Sequence, residues 1–314
     1  MQILAGPSGG AGRLSVAGYA AGGQDITARL NRIDKFAFPT DTKSTLTATL
    51  TQIIQYSSGF ANSGVAGYSA GGNDPSVNVI DKISFPADTK STLSATTSSI
   101  IYSATGFADS GVAGYIAGGL NDTTGLAVSR VDKIAFPSDS KSTISATLTT
   151  VVQNLSGFSN SGVAGYVAGG SETTNYFSRL DKITFPADTK STLAATLTST
   201  SEYHCGFADY GVAGYIAGGQ DAVATALDRI DKIAYPSDTK STLAATLATA
   251  NTQSPAGFAD TGVAGYIAGS FTGLIRLDRV DKIAFPAETR STLSAVLTTA
   301  TRRINCGFAD CGVI

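Results

Sequence analysis

The sequence predicts an all-β fold, a six-bladed β-propeller with four strands per blade and the first blade closed by the C-terminal strand. Three observations lead there. The first is repetition: V-A-G-Y-x-A-G occurs six times, with its tyrosine at Tyr19, Tyr68, Tyr115, Tyr166, Tyr215 and Tyr266, at steps of 49, 47, 51, 49 and 51 residues. The second is that each unit carries four short β-prone segments and no sustained helical period. The third is an offset between the chain ends. The N-terminal copy has no Gly-Phe-Ala-Asp segment before Val16, whereas the C-terminus supplies a sixth, Gly307-Phe308-Ala309-Asp310, and stops at Ile314.

The four segments follow in a fixed order. Segment A is G-F-A-D or a close variant, starting at Gly59, Gly106, Gly157, Gly206, Gly257 and Gly307. A short turn such as Ser110-Gly111 leads into segment B, V-A-G-Y-x-A-G-G, which ends on glycines able to take positive φ at little cost. Segment C, R-I-D-K-I-A-F, is β-branched and aromatic, and is stopped by Pro39, Pro86, Pro137, Pro186, Pro236 or Pro286, which cannot donate to a ladder. Segment D is expected over S-T-L-x-A-T-L, which alternates like a strand. One such unit holds too few large apolar side chains to fold alone, so the units are expected to stack. A solenoid needs distinct capping repeats, and none is seen. The ends are complementary instead, and closing a ring removes the free edges of an open stack. Residues 1–14 are expected to form an N-terminal arm and residues 15–314 the propeller.

The hydrophobic-Tyr-hydrophobic-Gly-Gly segments, with an aromatic residue some 20 positions later, resemble kelch repeats. That resemblance spans residues 15–314 and implies a β-propeller whose double glycine ends the second strand of each blade. It departs from the kelch pattern at the fourth strand, where leucines such as Leu46, Leu193 and Leu243 stand without the second kelch aromatic. The particular repeat style, I-D-K-I-A-F-P-x-D-T-K-S-T-L with G-F-A-D-S-G-V-A-G-Y-I-A-G-G, is similar to kelch-type proteins of bacteriophages associated with the virion or tail. It implies a particle component with other virion proteins as partners and the virion as location.

Composition narrows the function classes. Charged residues are only 15% of the chain and the formal net charge is −2, which argues against non-specific nucleic-acid binding. No apolar stretch approaches the ~20 residues of a membrane span, so no membrane insertion is expected. The first residues lack the pattern of a signal peptide. One histidine, His204, and three cysteines, Cys205, Cys306 and Cys311, leave little for imidazole or thiolate chemistry, and no zinc spacing is present. No cofactor and no metal are expected. Adjacent His204 and Cys205 would point to opposite faces of a strand and so form no dyad. The loop acids Glu172, Glu202, Asp74, Asp122 and Asp221 are scattered, with no pair that glycosidase geometry would need. A polysaccharide hydrolase or lyase is therefore the last-ranked function, and the protein is expected not to be an enzyme.

Strand order predicts two unlike faces. In an up-and-down blade the A–B and C–D turns share one end, and these repeat almost verbatim. The B–C and D–A loops share the other end and differ in length and content. On this varied face stand Tyr56, Tyr102, Tyr176, Phe177, Tyr203, His204, Phe271, Arg276, Arg302 and Arg303, of the residue types that dominate binding hot spots. Either they form a recognition surface, for a host-surface glycan or protein, or the loops have simply drifted. The first reading gives a virion protein that meets its host through these loops; the alternative is a capsid or tail decoration protein with no receptor role.

The charged dipeptides Asp34-Lys35, Asp81-Lys82, Asp132-Lys133, Asp181-Lys182, Asp231-Lys232 and Asp281-Lys282 lie within strands expected to be sandwiched between blades. Unpaired charge would be costly there, so Asp–Lys or Asp–Arg pairing between blades is the expected role, ahead of an axial cation site. The Asp-Thr-Lys turns are expected to be Asx-type turns with a solvated lysine.

Overall fold

The computed structural model describes residues 17–251, 253–304 and 306–310. The expected N-terminal arm and Cys311 lie outside them. The architecture is all-β and propeller-like, built on six four-stranded antiparallel sheets, with no helix among the described residues. The A strands are Ser58–Asn62, Thr105–Asp109, Ser156–Asn160, Cys205–Asp209, Ala256–Asp260 and Cys306–Asp310. The B strands are Ala17–Ala21, Ala66–Ala70, Ala113–Ala117, Ala164–Ala168, Ala213–Ala217 and Ala264–Phe271. The C strands, in the same order as the B strands, are Ile33–Ala37, Ile80–Ser84, Val131–Ala135, Arg179–Thr184, Ile230–Ala234 and Arg276–Ala284. Each sheet runs A-B-C-D, and the A strand Cys306–Asp310 pairs with the B strand Ala17–Ala21, from Ala17↔Asp310 to Ala21↔Cys306.

The D strands differ from expectation. They are Thr42–Thr45, Thr89–Thr92, Ser140–Thr143, Thr189–Thr196, Thr239–Thr242 and Thr289–Thr292, earlier than S-T-L-x-A-T-L in all but the fourth sheet. The C–D turn is tight enough that Ala37 already pairs with Thr42. The later leucines Leu50, Leu148, Leu197, Leu247 and Leu297 are buried against the sheets without being strand residues, except that the longer strand of the fourth sheet stops one residue short of Leu197. Their alternation is a packing pattern, not a ladder.

Sheets pack through aromatic sandwiches. Tyr19 lies between Phe308 of its own sheet and Phe85 of the next, with both ring centroids at 5.2 Å. The same arrangement recurs around the molecule, and Tyr266 sits between Phe258 at 5.3 Å and Phe38 at 4.9 Å, joining the sixth sheet to the first. Offset stacking of this kind adds to the area the rings bury.

The Asp-Lys dipeptides serve two junctions at once, because neighbouring strand residues face opposite ways. Lys35 reaches forward to the C–D turn of the next sheet and pairs with Asp88 at 2.6 Å, while the Tyr19 hydroxyl donates to the same carboxylate at 2.8 Å. Equivalent pairs are Lys82–Asp139, Lys133–Asp188, Lys182–Asp238, Lys232–Glu288 and Lys282–Asp41. Asp34 faces backward: it accepts the Thr298 backbone N–H at 2.9 Å and the Thr298 hydroxyl at 2.7 Å from the preceding unit. Burial raises the Asp34 carboxyl, but the Thr298 N–H, the hydroxyls of Thr298 and Thr45, and Arg32 outweigh it and hold the group below its ordinary value. Asp81, Asp132, Asp181 and Asp231 accept the equivalent hydroxyl hydrogen bonds from Thr51, Ser98, Thr149 and Thr198. At Asp281 the partner is Ala248, which offers only its backbone N–H at 2.9 Å. The turn lysines are not left to solvent either; Lys43 folds back to within 3.2 Å of Asp34.

The A strands meet at the centre. A Cβ added to Gly59 would stand 2.5 Å from the Gly307 carbonyl oxygen, and one added to Gly157 would stand 2.8 Å from that of Gly106. The same relation links Gly106 to Gly59, Gly206 to Gly157, Gly257 to Gly206 and Gly307 to Gly257. Only glycine permits this approach. Beside the strands lies a cavity of about 40 Å³ lined by Gly59, Gly106, Gly157, Gly206, Gly257, Gly307 and their neighbours, His204 and Cys205 among them.

Candidate binding surface

Antiparallel order puts the A–B and C–D turns at one end of every sheet and the B–C and D–A loops at the other. At the second end, just before each A strand, the equivalent positions hold Tyr56, Ser103, Asn154, Tyr203, Ser254 and Arg303. Tyr56, Ser103, Asn154, Tyr203 and Arg303 all take positive φ, between 54° and 61°. Their backbones hand one hydrogen bond from unit to unit: Tyr56 N–H to Arg303 O at 3.0 Å, Ser103 to Tyr56 at 3.0 Å, Asn154 to Ser103 at 2.9 Å and Tyr203 to Asn154 at 2.9 Å. The chain is thus fixed by the backbone here, and the side chains are free to differ.

What they carry is an aromatic and arginine cluster. Tyr56 stacks on Tyr203 at 6.1 Å and lies 6.5 Å from the tilted ring of Tyr102. The Arg303 guanidinium sits over Tyr56 at 5.2 Å, and that of Arg302 over Phe271 at 5.2 Å. Arg303 Nε donates to Gln253 at 3.2 Å and Arg302 Nε to Gln24 at 3.1 Å. Burial pushes the Tyr56 phenol up to about 12, with the nearby arginines opposing the rise. It also lowers Arg302, helped by Arg303, Arg276 and Arg29.

Opposite in charge is Glu202, buried and surrounded by donors. It accepts from Asn154 Nδ2 at 2.8 Å, the Ser171 hydroxyl at 2.5 Å and Gln220 Nε2 at 2.9 Å. Tyr176 lies close by, and burial together with the Glu202 carboxylate raises its phenol. Nothing in the sequence marks this role, since Glu202 reads there as one loop acid among several. Its place in the unit, equivalent to Gln55, Tyr102, Gln153, Gln253 and Arg302, is the signal that could have found it.

Other expected surface residues sit deeper, and Tyr56 itself is buried beneath Arg303. His204 is only 4% exposed, so it does not belong to the surface. Its Nε2 faces the Ser201 carbonyl at 3.0 Å, which can only accept, so Nε2 carries the proton and Nδ1 accepts from the Ser156 hydroxyl at 3.1 Å. Burial depresses this imidazole to about 4. The equivalent positions Ser57, Ala104, Leu155 and Ile304 are buried as well, which explains the placement. Phe177 packs partly into the core beneath Arg179, whose guanidinium lies 4.2 Å from its ring centroid. Burial pushes the Cys205 thiol up to about 12 and that of Cys306 to about 11, so neither is a ready nucleophile at neutral pH. Among the described residues no group of three or more His, Cys, Asp or Glu side chains is placed to hold a metal ion, and no helix is long and apolar enough to cross a membrane.

The end with the A–B turns is monotonous by comparison. Val65, Val112, Val163 and Val212 stand at equivalent positions and are each nearly half exposed. A groove of about 770 Å³ beside them is lined by Val65, Val112, Pro137, Pro186, Tyr210 and several serines. No protein-family model matches the chain, and no curated protein matches it.

Proposed function

We propose that this protein is a non-enzymatic binding module, a six-bladed, kelch-like β-propeller closed by its C-terminal strand, that presents its varied loops to a host-surface glycan or protein as part of a bacteriophage particle. One observation carries the binding reading. The inter-unit contacts repeat closely throughout the molecule, yet at a single set of equivalent positions on one face they give way to Tyr56, Tyr203, Arg303 and the adjoining Tyr102, Arg302 and Phe271. Aromatic and arginine side chains on a rigid scaffold are the usual material of a binding centre. Closure is supported by the pairing of Ala17–Ala21 with Cys306–Asp310 and by the stacking of Tyr266 on Phe38. The particle setting rests on the style of the repeat. The exposed valines of the other face suit attachment to a partner of matching symmetry, such as another virion protein.

Binding of the purified chain to host envelopes and to glycan arrays tests this. Saturable binding that is weakened by Tyr102→Ala and Arg303→Ala, while Val112→Ser on the opposite face leaves it unchanged, is the expected result. A protein found inside purified particles that binds no envelope component would favour the decoration role instead.

A further inference from the structure

Charge on the varied face is unevenly distributed, and the imbalance lies at one seam. The B–C loop of the first sheet and the D–A connection after the sixth join by backbone bridges, Gln24↔Arg29 and Gln24↔Arg302, and the next residue inward continues the ladder as Thr301↔Leu277. Phe271 pairs with Arg276 at the end of the sixth sheet. This ladder sets Arg276 beside Arg302, with Arg29 beyond Gln24 on the other side and Arg303 next along the chain. Arg29 is neutralised by Asp74. Arg302 and Arg303 each spend Nε on a neutral glutamine oxygen, and no described acid pairs with Arg302, Arg303 or Arg276. Arg276 Nε is buried and has no hydrogen-bond partner. At the equivalent bridges elsewhere the facing residues are Gln55 with Asn73, Tyr102 with Leu120, Gln153 with Ser171 and Glu202 with Gln220, so the positive charge belongs to this seam.

Three guanidinium groups held together without counter-ions repel one another, and an oxyanion between them would relieve that repulsion through charge-assisted, often bidentate hydrogen bonds. Aromatic and apolar surface borders the group: Phe271 under Arg302, Tyr56 under Arg303, and the loop tip Leu274–Ile275, which is 90% and 61% exposed. Such a border suits a ligand with carbon–hydrogen faces as well as charge. We infer that Arg276, Arg302 and Arg303 form a subsite for the oxyanion of an acidic saccharide. This deepens the binding reading of the varied face and rests on it.

The test is titration calorimetry of the full chain with five probes: a uronic-acid oligosaccharide, a phosphorylated oligosaccharide, the neutral counterpart of each, and inorganic phosphate. One or both acidic sugars should bind, with affinity falling as salt rises, and the neutral counterparts should not. Which acidic sugar binds tells carboxylate from phosphate. Arg276→Gln and Arg302→Gln should each weaken binding about tenfold, the scale of one charged hydrogen bond, while Arg290→Gln at a C–D turn changes nothing. Arg276 Nε has no partner in the fold, so its variant should keep the wild-type melting temperature. Equal binding of neutral and acidic sugars, or binding untouched by both substitutions, overturns the subsite but leaves the binding module standing. Binding of inorganic phosphate alone overturns the saccharide assignment. No binding to any sugar together with no binding to host envelopes removes the reading of the face itself, and the subsite with it.

Discussion

The Tyr266 hydroxyl donates to the Asp41 carboxylate at 2.7 Å, across 225 residues of chain, and Lys282 pairs with the same carboxylate at 2.6 Å. This junction between the last unit and the first has the same make-up as the internal ones, such as Tyr68 and Lys82 on Asp139.

Equivalence of the junctions gives a measurable consequence. Tyr266→Phe and Tyr68→Phe should each cost about 1.5–3 kcal/mol, the range for a hydrogen bond to a charged group, and the two losses should agree within error in urea unfolding. A much smaller loss for Tyr266→Phe would mean that the last junction is loose and the ring reading is wrong.

The central glycines make a sharper prediction. Gly59→Ala drives a Cβ onto the Gly307 carbonyl and should cost about 3 kcal/mol or prevent folding, an overpacking effect. Gly111→Ala, at a turn with φ of 78° and nothing within 4 Å, should cost about 1 kcal/mol of backbone strain. Thermal melts of the two variants check the order.

Acid stability should depend on His204, the chain's one histidine. Its folded value is about 4 against 6.5 for the ordinary group, so between those values the unfolded chain binds a proton that the folded chain does not. Stability is therefore unaffected above about pH 6.5 and falls as pH drops toward 4, by up to about 3 kcal/mol. His204→Gln should flatten denaturation midpoints measured between pH 6.5 and 4.5; an unchanged slope would show that the imidazole is not buried neutral. Below that window the carboxyls of Asp34 and Asp231, held low in the folded state, take over the loss.

The irregular junction offers a gain. Ala248 stands where Thr51, Ser98, Thr149, Thr198 and Thr298 give a hydroxyl to the buried aspartate, so Ala248→Thr should supply Asp281 with the missing donor. About 0.5–1.5 kcal/mol of added stability is expected, measured as a higher denaturation midpoint at unchanged m-value.

Much of this fold could be read from the repeat alone, because six copies in register fix both the strand count and the turns. The D strand was misplaced because Leu46 and Leu50 alternate like a strand while packing as a cap over the sheets. The direction of the Asp-Lys pairs was legible in principle, since adjacent strand residues must serve opposite neighbours. The partners were not, because Lys35 and Asp88, or Asp34 and Thr298, meet only once the sheets pack. The aromatic and arginine members of the cluster on the varied face could be picked out from the sequence. His204 and Glu202 were misread because loop membership does not reveal burial; comparison of equivalent positions across units would have revealed it for His204.

The central glycines tie each A strand to the next, so the inner strands cannot shift one at a time. A methyl group added at any of the six would wedge two neighbouring sheets apart, and the displacement would be handed on to the sheets beyond them.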